Sequence, residues 1–369
     1  MKQLMGVINL VHEPDDLEEL TIYRNTACVP FGGRYRLIDF MLSNMVNSGI
    51  GNVAVFTHHK YRSLMDHLGS GKEWDLDRKR GGLFLLPSLG DGSNGTVRGD
   101  LFQLYTNRDF FYRGKEQLVL LARSHVVCNI QFDEAVRFHE EKKADITIIY
   151  KEMEPDPSAK FHRLAVRGDD RITVMEDQLG RLRTDNISLE MYIMNKELFL
   201  DMVESTLARG YDYIIRDGIL KNIDKLGVYG YRFDGHAGIV TSINSYYRHS
   251  MELLCPNNLW DLFFQNKPIY TKIKDEPPAK HINGCTVKNS LVANGCVIEG
   301  TVKNSILFRG VRVEKGAVIK NSIIMQNCVI RQNAKIENSI LDKDVLISPD
   351  RSLCGDQRAP FVAAKTKVI

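Results

Sequence analysis

No two of the seven cysteines (Cys28, Cys128, Cys255, Cys285, Cys296, Cys328, Cys354) form a C-x-x-C pair, and their number is odd. This argues against a zinc site or a disulfide framework and fits a reducing, cytoplasmic setting. No apolar run approaches the roughly 18–20 residues that span a bilayer, so no membrane partner is expected. The apolar opening Met1–Leu10 is followed at once by acids and has no small-residue cleavage site, so it reads as a first β-strand rather than a signal peptide. An excess of one charge is missing as well. A net charge of +3 over 369 residues gives no footprint for nucleic acid or an anionic membrane.

What is present is enough for two domains. The 43% hydrophobic and 26% charged content is that of an ordinary globular chain. Asn52–Thr57, Gln117–Ala122 and Asp145–Tyr150 are Val/Ile/Leu-rich runs of the kind that form buried parallel strands. Between them, Arg36–Ser48 and Phe132–Lys143 place apolar residues three and four apart, as amphipathic helices do. This alternation predicts a doubly wound, mostly parallel α/β domain over residues 1–250, with ligands at the carboxyl ends of its strands.

Beyond residue 250 the pattern changes. Residues 251–280 read as a helical segment followed by a Pro-containing linker, Asn266–Lys280. From His281 to the end, the tetrad Lys/Glu-Asn-Ser-Ile/Leu returns at Lys288–Leu291, Lys303–Ile306, Lys320–Ile323 and Glu337–Ile340. Small-residue corners between the tetrads complete a hexapeptide rhythm, which predicts a parallel β-helix over 281–369. Such solenoids include trimeric acyltransferases, but those sites use a histidine between coils and this repeat has none after His281.

Val29–Ile50 (VPFGGRYRLIDFMLSNMVNSGI) resembles the glucose-1-phosphate adenylyltransferases, and so do Tyr61–Trp74, Ser245–Leu254 and Asn294–Gln326. The resemblance covers nearly the full chain. It implies a Rossmann-like nucleotidyltransferase domain followed by a left-handed β-helix. It also implies a reaction in which glucose 1-phosphate attacks the α-phosphorus of ATP. That chemistry concentrates negative charge, so it requires a glycine-rich phosphate loop, two carboxylates holding Mg²⁺, and lysines on the phosphates.

At each of those positions the resemblance puts an unsuitable residue. The glycine-rich loop is replaced by Leu10–Leu17, with Asp16 where an arginine belongs and Asp15 and Glu13 beside it. The first metal carboxylate is Ser124, preceded by Arg123 in place of glycine, and the second is Ile239. The phosphate lysines become Gln178 and Thr26, and a sugar-pocket glycine becomes Glu190. Hard Mg²⁺ needs oxygen ligands, so no cofactor is expected here, and Mg²⁺ is expected in a catalytic partner alone.

The pattern resembles the non-catalytic, GlgD-type subunit that Gram-positive bacteria pair with a catalytic chain, in a heterotetramer or with a homotetramer as the alternative. Two other readings stand beside it: an active enzyme with rearranged ligands, and a free-standing sensor of sugar phosphates or nucleotides. Arg24 and Arg36, which flank the Pro30–Gly33 turn, and Arg309 and Arg312 in the solenoid are the candidates for binding a phosphorylated effector.

Overall fold

A computed structural model describes residues 3–369 except 12, 14, 15, 89–98, 158 and 178. Its first domain is built on a nine-stranded sheet. The strands are β1 (Leu4–Asn9), β2 (Asn52–Thr57), β3 (Gly82–Pro87), β4 (Leu118–Ala122), β5 (Ile146–Glu152), β6 (His162–Val166), β7 (Ile172–Asp177), β8 (Asn186–Asn195) and β9 (Val228–Arg232). Across the sheet the order is β3-β2-β1-β4-β8-β5-β9, and the β6–β7 hairpin joins the start of β8. β1 is parallel to β2 and β4, and β8 runs antiparallel between β4 and β5.

Both faces are buried, which explains why the central strands are apolar without alternation. Ile8, Val53 and Leu120 face a core shared with helices Leu37–Asn47 and Phe132–Glu141. Val7, Ala54 and Val119 face the opposite core, against helices Asp100–Thr106 and Lys196–Ala208. Helix Leu37–Asn47 starts where Asp39 accepts the Arg36 N–H at 2.9 Å. It ends at Gly49, whose φ of +76° lets Ile50 N–H return to Met45 O at 3.0 Å.

The second domain is the left-handed β-helix, three parallel sheets of five short strands each. The repeated tetrad now has a physical reason. Asn289, Asn304, Asn321 and Asn338 sit at corners with φ of +44° to +47°, a conformation Asn tolerates better than most residues. The next residue, serine, is a rivet between coils. Ser305 Oγ donates to Lys303 O at 2.7 Å and accepts Ser322 N–H at 3.1 Å. Ser322 in turn accepts Ser339 N–H at 3.2 Å. Ile306, Ile323 and Ile340 follow, fully buried.

The domains share a core in which Phe31, Phe40 and Tyr246 meet Phe308, Met325 and Ile340. Arg24 and Asp342, both buried, form an ion pair across this junction. The stretch expected as a linker is pinned to the first domain: Tyr270 N–H donates to Ser43 Oγ at 2.8 Å, and Asn129 Nδ2 donates to Lys267 O at 3.0 Å.

Candidate functional site

The carboxyl ends of β1 and β4 meet where a doubly wound sheet presents its ligand site. Here the chain's own side chains occupy it. Arg123, one residue past β4, donates through Nη1 to Asn9 O at 2.9 Å and Val11 O at 2.6 Å, which ties down the end of β1. Its Nε lies 3.5 Å from Glu190 and its Nη2 3.9 Å from Asp100. Asp100 is held by Asn9 Nδ2 at 2.8 Å and Ile214 N–H at 2.9 Å.

Glu190 lies in a bulge of β8, between Ser188, which pairs with Tyr150, and Met191, which pairs with Ile149. Its φ is +51°, a conformation that favours glycine. Burial pushes its carboxyl pKa up, but the facing His162, 3.4 Å away, together with His125 and Arg123 outweighs burial and holds it at about 2. It is therefore a carboxylate at neutral pH.

A second knot lies alongside. Glu13 accepts the Ser124 N–H at 2.5 Å and the Ser124 hydroxyl at 2.8 Å, and His125 Nδ1 is 3.6 Å from the same carboxylate. Asp16 pairs with Lys160 at 2.7 Å at the rim, with both side chains about half exposed. Glu13 and Asp16 therefore both have partners, and Asp15 lies outside the described residues.

Ile239 pairs with Val126 in a two-stranded ribbon and is buried in the sheet core. Thr26 is buried in the short turn Thr26–Cys28. Gln178 lies outside the described residues. A cavity of about 450 Å³ remains beside Glu190, where Arg123, Lys160, His162, Glu190 and Tyr213 converge.

These residues do not fit a magnesium–triphosphate complex. Glu13 spends both oxygens on Ser124, Ile239 has no side-chain oxygen to offer, and Asp100 and Glu190 already face Arg123. Asp16, Glu13 and Glu190 would repel phosphate.

The four arginines expected to meet an effector divide. Arg36 donates to Ser63 O at 2.8 Å and Ser63 Oγ at 3.0 Å, near the buried Arg24. Arg309 faces Arg34 instead: burial and that neighbour push its pKa down. Arg312 is exposed on strand Arg312–Val313, and no described contact links it to the other three. Sequence reasoning missed Lys343. Burial, then the charges of Arg36 and Arg24, push its ammonium pKa down to about 7. The signal was available in Asp342-Lys343, two charges that begin two positions after the last repeat tetrad, Glu337–Ile340. Sequence reasoning singled out Arg123 and Glu190 separately, each a charge where the resemblance expects glycine, but missed that the two face each other.

The class of protein is now defined: residues 16–230 match the nucleotidyl transferase family, and residues 277–360 match the GlmU-like C-terminal hexapeptide family. The chain is 43% identical to the glycogen biosynthesis protein GlgD of Bacillus subtilis over 98% of its own length and 96% of that protein's. It is 44% identical to GlgD of Geobacillus stearothermophilus, covering 99% and 97%. It is 34% identical to a glucose-1-phosphate adenylyltransferase of Thermotoga sp., covering 79% and 70%. The chain belongs to the glucose-1-phosphate adenylyltransferase family, with GlgD proteins among its full-length relatives.

Proposed function

We propose that this chain serves glycogen biosynthesis as the regulatory, catalytically deficient subunit of a glucose-1-phosphate adenylyltransferase. The supporting observation is Arg123, whose guanidinium bonds both carbonyls at the end of β1 and faces Asp100 and Glu190. In a working enzyme of this class, that space belongs to phosphate and metal. Loss of one preorganised stabilising group costs about a hundred- to a thousandfold in rate. Here the phosphate loop, both metal carboxylates and the lysines are replaced together. A rearranged active site would need free carboxylates, and Glu13, Asp16, Asp100 and Glu190 are all engaged.

The partner is a catalytic adenylyltransferase chain, which carries the Mg²⁺, in a mixed tetramer in the cytoplasm. The effector is a phosphorylated metabolite held near Arg24, Arg36 and Lys343, cations from both domains. A non-catalytic subunit acts by shifting its partner's conformational equilibrium, which requires contacts that differ between states. ADP-glucose formation should be assayed with this chain alone, with the catalytic chain alone and with both. The expected result is no product from this chain and a changed rate or effector response in the mixture. Robust turnover alone, or an unchanged partner, overturns the proposal.

A further inference from the structure

The last coil of the β-helix breaks the spacing of the others. Ile323 pairs with Ile340, seventeen residues on, but Ile340 pairs with Val362, twenty-two on. Strand Ser352–Cys354 still stacks in step on Lys335–Glu337, so the additional residues fall between Cys354 and Phe361. They are firmly held. Gly355 donates to Glu337 O at 3.0 Å and accepts from Asn338 Nδ2 at 3.2 Å. A Cβ there would lie 2.3 Å from Asn338 O and Phe361 N, so glycine is needed for the chain to leave the coil. Asp356 and Ala359 exchange backbone hydrogen bonds at 3.0 and 3.2 Å, and the Asp356 carboxylate accepts Arg358 N–H at 2.8 Å.

This turn brings Gln357 and Arg358 to a cavity of about 750 Å³ between the domains. Insertions into solenoid repeats often lie on the binding face. The opposite wall is helix Ile243–Glu252. Its Tyr247 hydroxyl donates to Asn321 O at 2.5 Å, so the cavity floor already joins the two domains.

The lining sets the ligand's chemistry. Two carboxylates, Asp156 and Glu252, balance two guanidiniums, Arg248 and Arg358. Arg248 is already 3.0 Å from Asp156 and 3.6 Å from Glu252, and its Nε is buried without a hydrogen-bond partner. A phosphate would meet both acids. Three carboxamides, Asn244, Asn321 and Gln357, offer donors and acceptors together, and Met251 and Pro157 add apolar walls.

We propose that this cavity binds a neutral polyhydroxylated ligand, a free hexose or a short glucan, and that occupation braces the solenoid against helix Ile243–Glu252. The inference stands apart from the catalytic status of the chain. Calorimetric titration of the full chain with glucose, maltose and maltotriose tests it, with glucose 1-phosphate as the charged competitor. Saturable binding of at least one neutral sugar is expected, weakened tenfold or more in Asn244→Trp and in Arg358→Ala, with parental circular dichroism and melting. Glucose 1-phosphate should not displace that sugar. The proposal is overturned by no saturable binding of any of the three sugars, by affinity unchanged in both variants, or by displacement with glucose 1-phosphate at concentrations below those of glucose itself.

Discussion

Glu13 grips Ser124 at two points, 2.5 Å to its amide and 2.8 Å to its hydroxyl. The contact ties the segment where the resemblance expects a phosphate loop to the position where it expects a metal carboxylate, so a change at Ser124 is felt at Glu13. Ser124→Asp would place a second carboxylate against the first, both out of water. Repulsion and the lost hydroxyl bond should destabilise the chain by about 1–3 kcal/mol. Thermal melting should fall, and ADP-glucose synthesis should stay undetectable. Near-normal rates in this single variant would mean that the other lost positions are misassigned.

Glu190 gives an acid-stability signature. Its carboxyl titrates at about 2 in the folded chain against an ordinary 4.5. A lowered folded value contributes stability that is fully present above about pH 4.5 and is lost as the pH falls towards 2. Glu190→Gln should therefore cost on the order of 3 kcal/mol at pH 7. It should also flatten the fall in urea-unfolding free energy between these two pH values. A variant as acid-sensitive as the parent would show that the Arg123 and His162 contacts contribute little.

Lys343 predicts how effector binding follows pH. Burial first, and then the charges of Arg36 and Arg24, push its ammonium pKa down to about 7. A bound anion favours the charged form, so binding takes up a proton. Affinity for sulfate, which does not titrate in this range, should fall as pH rises from 6 to 8. Lys343→Arg keeps its charge throughout and should abolish that slope. The same slope in the arginine variant would place the anion elsewhere. Without a ligand, the lowered pKa makes stability rise with pH above about 7.

The serine rivets can be tested singly. Ser305→Ala removes the acceptor for the Ser322 N–H at a fully buried position. The cost should be about 1–3 kcal/mol, read as a lower urea midpoint with an unchanged slope. Ser290→Ala, on the exposed first coil, should cost less.

Both domains were legible in the sequence, for different reasons. Asn52–Thr57 was read to the residue because a strand buried on two faces is a continuous apolar run. The solenoid was legible because each coil repeats the same corner and rivet. What escaped was pairing between distant residues. Arg123 and Glu190 are 67 positions apart and Glu13 and Ser124 are 111 apart, and no periodicity links them. Single positions gave only the expectation that the catalytic groups are replaced. They carried nothing about the ion pairs that the residues standing there form with one another. Lys343 escaped likewise, since only the packing of the domains brings it to Arg36.

The shared core of Phe31, Phe40 and Tyr246 with Phe308, Met325 and Ile340 sets a timetable for synthesis. The first domain leaves the ribosome with part of its apolar surface waiting for coils still to be translated. At roughly 5–20 residues per second that wait lasts several seconds. During it, Arg24 lacks Asp342, the carboxylate that will neutralise it. The nascent chain is then most open to chaperones and to wrong partners, and completion of the middle coils closes that window.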